Sequence, residues 1–172
     1  MLRFLSGLMA AVVILFLAGF LWLRLGFVDS TADGGENALE RAVAMPALDA
    51  SVRRHASRVA NPVAATDANL VAGMKLYQNN CAGCHGDIHQ KHVGFGDSLY
   101  PRAPQFLEDA PDMPEYQNFY IIQHGIRLSG MPAMSSSLKE DEMWQVTTFL
   151  SHMDKLPPQV AEQWKAFAAG GH

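Results

Sequence analysis

The 172-residue chain holds only two cysteines. They lie three positions apart, with a histidine directly after the second: Cys81-Ala82-Gly83-Cys84-His85. Thiols at this spacing can both reach the vinyl side chains on one edge of a porphyrin and close two thioethers. The adjacent imidazole then lies under the iron as an axial ligand. The run is the spacing for covalent haem attachment. Two other chemistries use part of it. A thioredoxin-like redox dithiol carries its Cys-x-x-Cys after a strand, at the start of a helix, whereas a helical pattern precedes this one. Half of a zinc site needs a second ligand pair; there is no third cysteine, and His89 and His92 are too near to make a convincing pair.

The elements that would position this run are readable. Thr66 to Asn80 reads as a helix with Leu70, Met74 and Tyr77 on one face and Gly73 beside them. A glycine inside a helix costs about 1 kcal/mol relative to alanine, so Gly73 suggests another backbone crossing closely there. A partner lies near the other end of the chain. Ser137-Leu138-Lys139-Glu140 has the form of a capping box, and Met143, Val146, Leu150 and Met153 follow as an apolar stripe with Trp144 and Phe149 alongside. This helix is expected to end before Pro157-Pro158. Between the two, Glu115–His124 reads as a helix stopped by Gly125.

With these residues in place the sequence resembles a class I cytochrome c domain, and most of all bacterial membrane-anchored monohaem c-type cytochromes. In that family a glycine lies eight residues before the first haem cysteine and an aromatic four before it; Gly73 and Tyr77 match. The aromatic-aliphatic pair of the family's C-terminal helix matches Phe149-Leu150. The likeness covers roughly residues 66–155. It implies an all-α, cytochrome c-like haem domain with one haem c, bound covalently by Cys81 and Cys84 and ligated by His85. Gly130-Met131-Pro132 resembles the family's distal ligand loop, which makes Met131 the expected second metal ligand. Met134 is its nearest competitor, Met113 a lesser one, and His124 would give bis-histidine iron. A thioether in place of a second imidazole raises the reduction potential. Tyr100-Pro101-Arg102-Ala103-Pro104-Gln105-Phe106 resembles the loop whose proline carbonyl accepts a hydrogen bond from the proximal imidazole. Pro104 matches best and Pro101 is the alternative. Phe119, Tyr120 and Ile122 are expected to line the distal pocket. Arg127 is either the partner of a haem propionate or an exposed loop arginine.

The rest of the chain sets the context. Phe4 to Leu23 is 20 residues without a charge, long enough at about 1.5 Å per residue to span a hydrocarbon core. It reads as a retained single transmembrane anchor (residues 1–25), with a signal peptide cleaved near Ser30-Thr31-Ala32 as the alternative. Arg3 on one side and Arg24 and Arg41 on the other do not orient it. Residues 26–62 read as a tether that begins with a small, polar stretch. Leu48, Val52, Ala56 and Val59 lie on one face of an expected short helix at 47–60, with Pro46 at its start and Asn61-Pro62 at its end. Residues 63–172 form the expected haem domain. The composition, 13 Lys+Arg against 17 Asp+Glu, excludes a basic nucleic-acid-binding protein. Residues 66–172 carry 7 basic and 12 acidic residues, so a strongly basic docking ring is not evident.

Iron with both axial positions filled has no open site for substrate, which favours one-electron transfer over bond-making catalysis. The resemblance implies haem attachment outside the bacterial inner membrane. The expectation is therefore a single-pass inner-membrane protein, not itself an enzyme, whose periplasmic domain carries electrons between redox proteins such as membrane-bound respiratory complexes. Two rivals stand beside it. One is the c-type subunit through which electrons enter a multisubunit oxidase or dehydrogenase. The other is a gas-binding or peroxidase-like haem protein.

Overall fold

The structure, a computed structural model, describes residues 2–34 and 37–169; among these every regular element is helical and there is no strand. Two units divide the chain, Met1–Gly34 and Gly35–His172.

The first unit is one helix, α1 (Leu2–Arg24), followed by a turn at Gly26 and an Asp29 carboxylate that accepts bonds from the Thr31 backbone and hydroxyl at 2.9 and 2.8 Å. Its apolar side chains cover no core of their own; Phe4, Phe16 and Leu15 are each more than 70% exposed. Residues Arg3–Arg24 form the one helix among those described that is long and apolar enough to cross a membrane.

The second unit is built on a crossing of two helices, α3 (Asp67–Asn80) and α7 (Glu140–Leu150). Thr66 caps α3, its hydroxyl accepting from the Asn69 N–H. Gly73 marks the crossing point: a Cβ there would lie 2.1 Å from the Gln145 carbonyl oxygen and 2.9 Å from Phe149 Cβ. Leu70, Met74 and Tyr77 from α3 and Met143, Val146, Phe149 and Leu150 from α7 are buried at that contact. Each fully buried apolar side chain of this size contributes roughly 1.5–3 kcal/mol. The short α4 (Ala82–His85) and α5 (Gly94–Asp97) follow α3, and α6 (Glu115–His124) packs on α7, with Ile122 in the shared core. Gly125 ends α6 at φ +64°. The segment before α3 is fastened to α7 where Asn61 Nδ2 donates to Thr148 Oγ1 at 2.8 Å.

Three elements differ from the sequence reading. The helix in the tether, α2, runs Ala38–His55. Asn37 caps it by accepting from Leu39 N–H at 2.9 Å, and Pro46 lies inside it. Val52 and Ala56 are buried as their spacing predicts, but the helix stops at Ala56 and Val59 is left 53% exposed. The N-cap of α7 is Lys139, not Ser137; Ser137 instead closes the 3₁₀ turn Met134–Ser136, its N–H bonded to the Met134 carbonyl. The reaching-back half of a capping box is supplied by Glu142, whose carboxylate accepts from the Lys139 N–H at 2.7 Å. A last helix, α8 (Pro158–Ala169), had no counterpart in the sequence reading. Pro158 suits its first position. Val160, Trp164 and Ala168, at four-residue spacing, are buried, and the Trp164 ring meets Phe149 and Tyr77 edge-on at 5.1 and 6.3 Å.

Candidate haem-binding site

The end of α3 sets the spacing of the reactive groups. Cys81 is at once the C-cap of α3 and the N-cap of α4, and its carbonyl takes the N–H groups of Cys84 and His85, both at 3.0 Å. One helical turn therefore carries both thiols and the imidazole. The two cysteines are free and half-buried. Burial pushes the Cys81 thiol up to about 12, with Cys84 adding to the effect. A neutral thioether suits that place better than a thiolate does.

His85 is buried, and its Nδ1–H donates to the Pro104 carbonyl at 2.8 Å. This fixes the tautomer and leaves Nε2 as the ring nitrogen with a lone pair. Burial lowers the imidazole's pKa, against a smaller opposing effect of the Pro104 bond, and so favours the neutral form that a metal requires. Phe106 stacks on the ring with centroids 4.3 Å apart. Two free thiols on one helical turn, one imidazole nitrogen with a lone pair and an aromatic backing fit a covalently held haem. Among the described residues no cluster of three or more His, Cys, Asp or Glu is placed to hold a bare metal ion.

The segment behind His85 is tied down at many points. Gly86 turns the chain at φ +83°, and its carbonyl accepts from the Tyr77 hydroxyl at 2.6 Å. Burial pushes that phenol's pKa upward. Gln105, which carries no signal in the sequence, joins three stretches of the loop. Its Oε1 accepts from Val93 N–H at 2.9 Å, and its Nε2 donates to the Cys84 and Ala103 carbonyls at 3.0 and 2.9 Å. Gly96 is pressed against the same turn; a Cβ there would lie 2.2 Å from the Cys84 carbonyl oxygen. Asp87 accepts from the His89 and Gln90 backbones at 2.8 and 2.7 Å and from Gln78 Nε2 at 2.7 Å. Burial works to raise its carboxyl pKa, but these bonds outweigh it and the net shift is down. His89 reaches the Lys165 carbonyl through Nε2 at 3.0 Å, and His92 lies between Asp97 and Glu108 at 2.5 and 3.5 Å.

Met131 is half-buried on the loop that leaves α6. The loop closes on itself: Ile126 N–H bonds the Met131 carbonyl at 3.1 Å, and Ser129 Oγ accepts from Met131 N–H at 3.1 Å while donating to the Ile126 carbonyl at 2.8 Å. It touches the proximal segment at Gly130, where a Cβ would meet the Leu99 side chain at 2.7 Å. Arg127 is exposed and has no ion pair among the described residues. Met134, by contrast, is buried in the core cluster that includes Ile122 and Met143. Met113 is half-buried and His124 exposed, its ring 4.6 Å from that of Tyr120. Phe119 lies flat on Trp144 at 3.8 Å. With Tyr120 it lines a cleft toward His55 whose walls include none of Cys81, Cys84, His85, Pro104 or Met131.

The sequence profile described as Cytochrome C oxidase, cbb3-type, subunit III matches residues 68–150. Two quinohemoprotein alcohol dehydrogenases of Pseudomonas putida are similar. ADH IIB is 27% identical over 93 residues, 54% of this chain and 12% of that protein. ADH-IIG is 29% identical over 103 residues, 59% and 13%. The chain thus spans only about an eighth of the length of these relatives. The matched segment holds the Cys-x-x-Cys-His turn, the Gly73 crossing and the Met131 loop. Residues 68–150 form a class I cytochrome c domain, of the kind that carries covalently attached haem c and serves electron transfer.

Proposed function

We propose that the protein is a membrane-anchored monohaem electron carrier, with residues 63–172 as the haem domain in the periplasm, α1 as a single span of the bacterial inner membrane, and residues 26–62 as the tether between them. In this reading Cys81 and Cys84 hold the haem, and His85 and Met131 ligate its iron from opposite faces. Bound haem supplies the capacity to take up and release one electron. The chain's own residues fix the donor atoms. The single observation that carries the reading is the bond from His85 Nδ1–H to the Pro104 carbonyl, because it leaves Nε2 unprotonated one residue after the second cysteine. Met131 is favoured over Met134 because Met134 is committed to the apolar core, whereas Met131 is half-buried on a loop that rests against the proximal segment at Leu99. Arg127, exposed on the same loop, is available to a propionate.

The tether keeps the carrier near membrane-bound respiratory partners and raises its effective concentration there. The domain's acidic balance supports docking that is small in area and partly electrostatic. A second reading is favoured by the match to an oxidase subunit family and by relatives in which such a segment is a small part of a dehydrogenase: a c-type subunit through which electrons enter a larger complex. Purification from the native membrane in mild detergent separates the two. Stoichiometric recovery of an oxidase or dehydrogenase favours the subunit, and recovery alone favours the carrier.

The ligand assignment has its own test. Met131→Ala removes the weak long-wavelength absorption band of ferric methionine-ligated haem, while Met134→Ala keeps it; the opposite pattern refutes Met131. Carbon monoxide binding by the reduced wild-type protein, with that band missing, points instead to a gas-binding or peroxidase-like protein.

A further inference from the structure

A cleft of about 460 Å³ opens between α6, the first turns of α7 and the extended segment that follows α2. Its volume falls within the roughly 300–1,000 Å³ of small-molecule sites. One side is aromatic. Tyr116 and Tyr120 stand one turn apart on α6, beside the stacked pair of Phe119 and Trp144. The lining also includes polar groups: half-buried Gln123 and exposed His124 from α6 itself, the His124 ring 4.6 Å from that of Tyr120, and the exposed His55 and Glu140.

Those polar groups are hardly used by the protein. Among the described residues the Tyr120 hydroxyl, the Gln123 amide, the His124 imidazole and the Glu140 carboxylate form no hydrogen bond. His55 spends only Nδ1, on the Ser51 carbonyl at 2.9 Å. Donors and acceptors that stay unengaged along a half-buried aromatic wall match a ligand that presents a ring and a few polar atoms. The lining carries one carboxylate, Glu140, and no lysine or arginine, so a neutral ligand suits it better than an anion.

We propose that this cleft binds a neutral aromatic small molecule bearing hydroxyl or carbonyl oxygens, of the phenol or quinol class, apart from the haem site. The ring lies along Tyr116 and Tyr120, and its oxygens exchange hydrogen bonds with the Tyr120 hydroxyl, Gln123 and His124. A phenolic hydroxyl both donates and accepts, as do three of these groups.

Equilibrium dialysis of the full-length, haem-loaded protein in detergent against 4-hydroxybenzamide tests this. The expected result is saturable uptake of one molecule per chain, weaker for benzamide and absent for cyclohexanecarboxamide. Tyr120→Phe and His124→Ala each weaken it about fivefold, the loss of one hydrogen bond, while Lys75→Ala on exposed α3 surface does not. The haem absorption spectrum and melting temperature of each variant establish that it is folded. If Tyr120→Phe fails to fold, Gln123→Ala takes its place. Uptake that never saturates at millimolar probe, that is equal for the non-aromatic amide, or that ignores Tyr120→Phe (or its replacement) and His124→Ala overturns the proposal. Because haem loading is scored separately, a failure here leaves the electron-carrier reading intact, and the reverse also holds.

Discussion

The two loops that flank the haem site are held in opposite ways. The proximal segment, residues 85–106, is woven into the body of the domain. His85 is bonded to Pro104, Gly86 to Tyr77, Cys84 and Val93 to Gln105, and Asp87 to Gln78. The distal loop, residues 125–133, is held mainly by itself. Its bonds run among Ile126, Ser129 and Met131, Leu128 sits at φ 59° and is 92% exposed, and the contact at Gly130 is with one leucine side chain. The lesson is one of rank. The imidazole's geometry is set by the core, so it moves only if the domain does. The Met131 loop can shift with little disturbance elsewhere, and in the proposed ligation it is the side on which displacement by another ligand is cheap.

Paired substitutions sharpen or break this contrast. The largest gap is expected between two glycines. Gly96→Ala drives a Cβ into the Cys84 carbonyl, a backbone atom that cannot yield, and costs about 3 kcal/mol. Gly130→Ala meets only the Leu99 side-chain end and costs under about 1 kcal/mol. Chemical denaturation measures both, and equal losses would erase the contrast. Next comes the polar pair. Gln105→Leu strands a buried N–H and two carbonyls and lowers stability by about 2 kcal/mol. Ser129→Ala, on the self-closed loop, costs about 1 kcal/mol or less. Its effect is expected instead in faster exchange of an external ligand at the iron, followed by stopped flow.

The smallest effect is on the proximal side and depends on pH. Asp97 and Glu108 raise the pKa of His92 above its ordinary 6.5. The protonated ring's contribution is therefore complete below about 6.5 and fades as pH climbs through the raised value. Amide exchange in residues 92–98, compared at pH 6 and pH 8 after correction for intrinsic rates, should show slightly weaker protection at pH 8. His92→Gln removes the difference. The ion pairs are exposed and the effect is modest.

What the sequence disclosed follows the same division. The Cys81–His85 turn, the helix that begins at Thr66, the glycine crossing at Gly73 and the Gly125 stop are local signals, each with a steric or hydrogen-bonding reason that needs no knowledge of the rest of the chain. The features that escaped depend on partners distant in sequence. Gln105 is an ordinary polar residue until Val93, Cys84 and Ala103 surround it. Trp164 and Val160 mark a buried face only when α3 is there to receive it. Pro46 looks like a helix start because Asn37, nine residues earlier, takes the capping role that a reader of apolar periodicity overlooks. For Phe119 and Tyr120 the helix is legible and the face is not. Periodicity shows that a side is apolar but not whether a porphyrin or Trp144 covers it.

One connection reaches past the matched segment. Trp164 on α8 donates its indole N–H to Gln78 at 3.0 Å, and the same amide group of Gln78 donates to Asp87, two residues beyond His85. A fragment trimmed to the recognisable 68–150 stretch would lose this anchor and bare the aromatic faces of Tyr77 and Phe149. The tail is thus a working part of the haem's seat, and any attempt to transplant the redox module should carry it along.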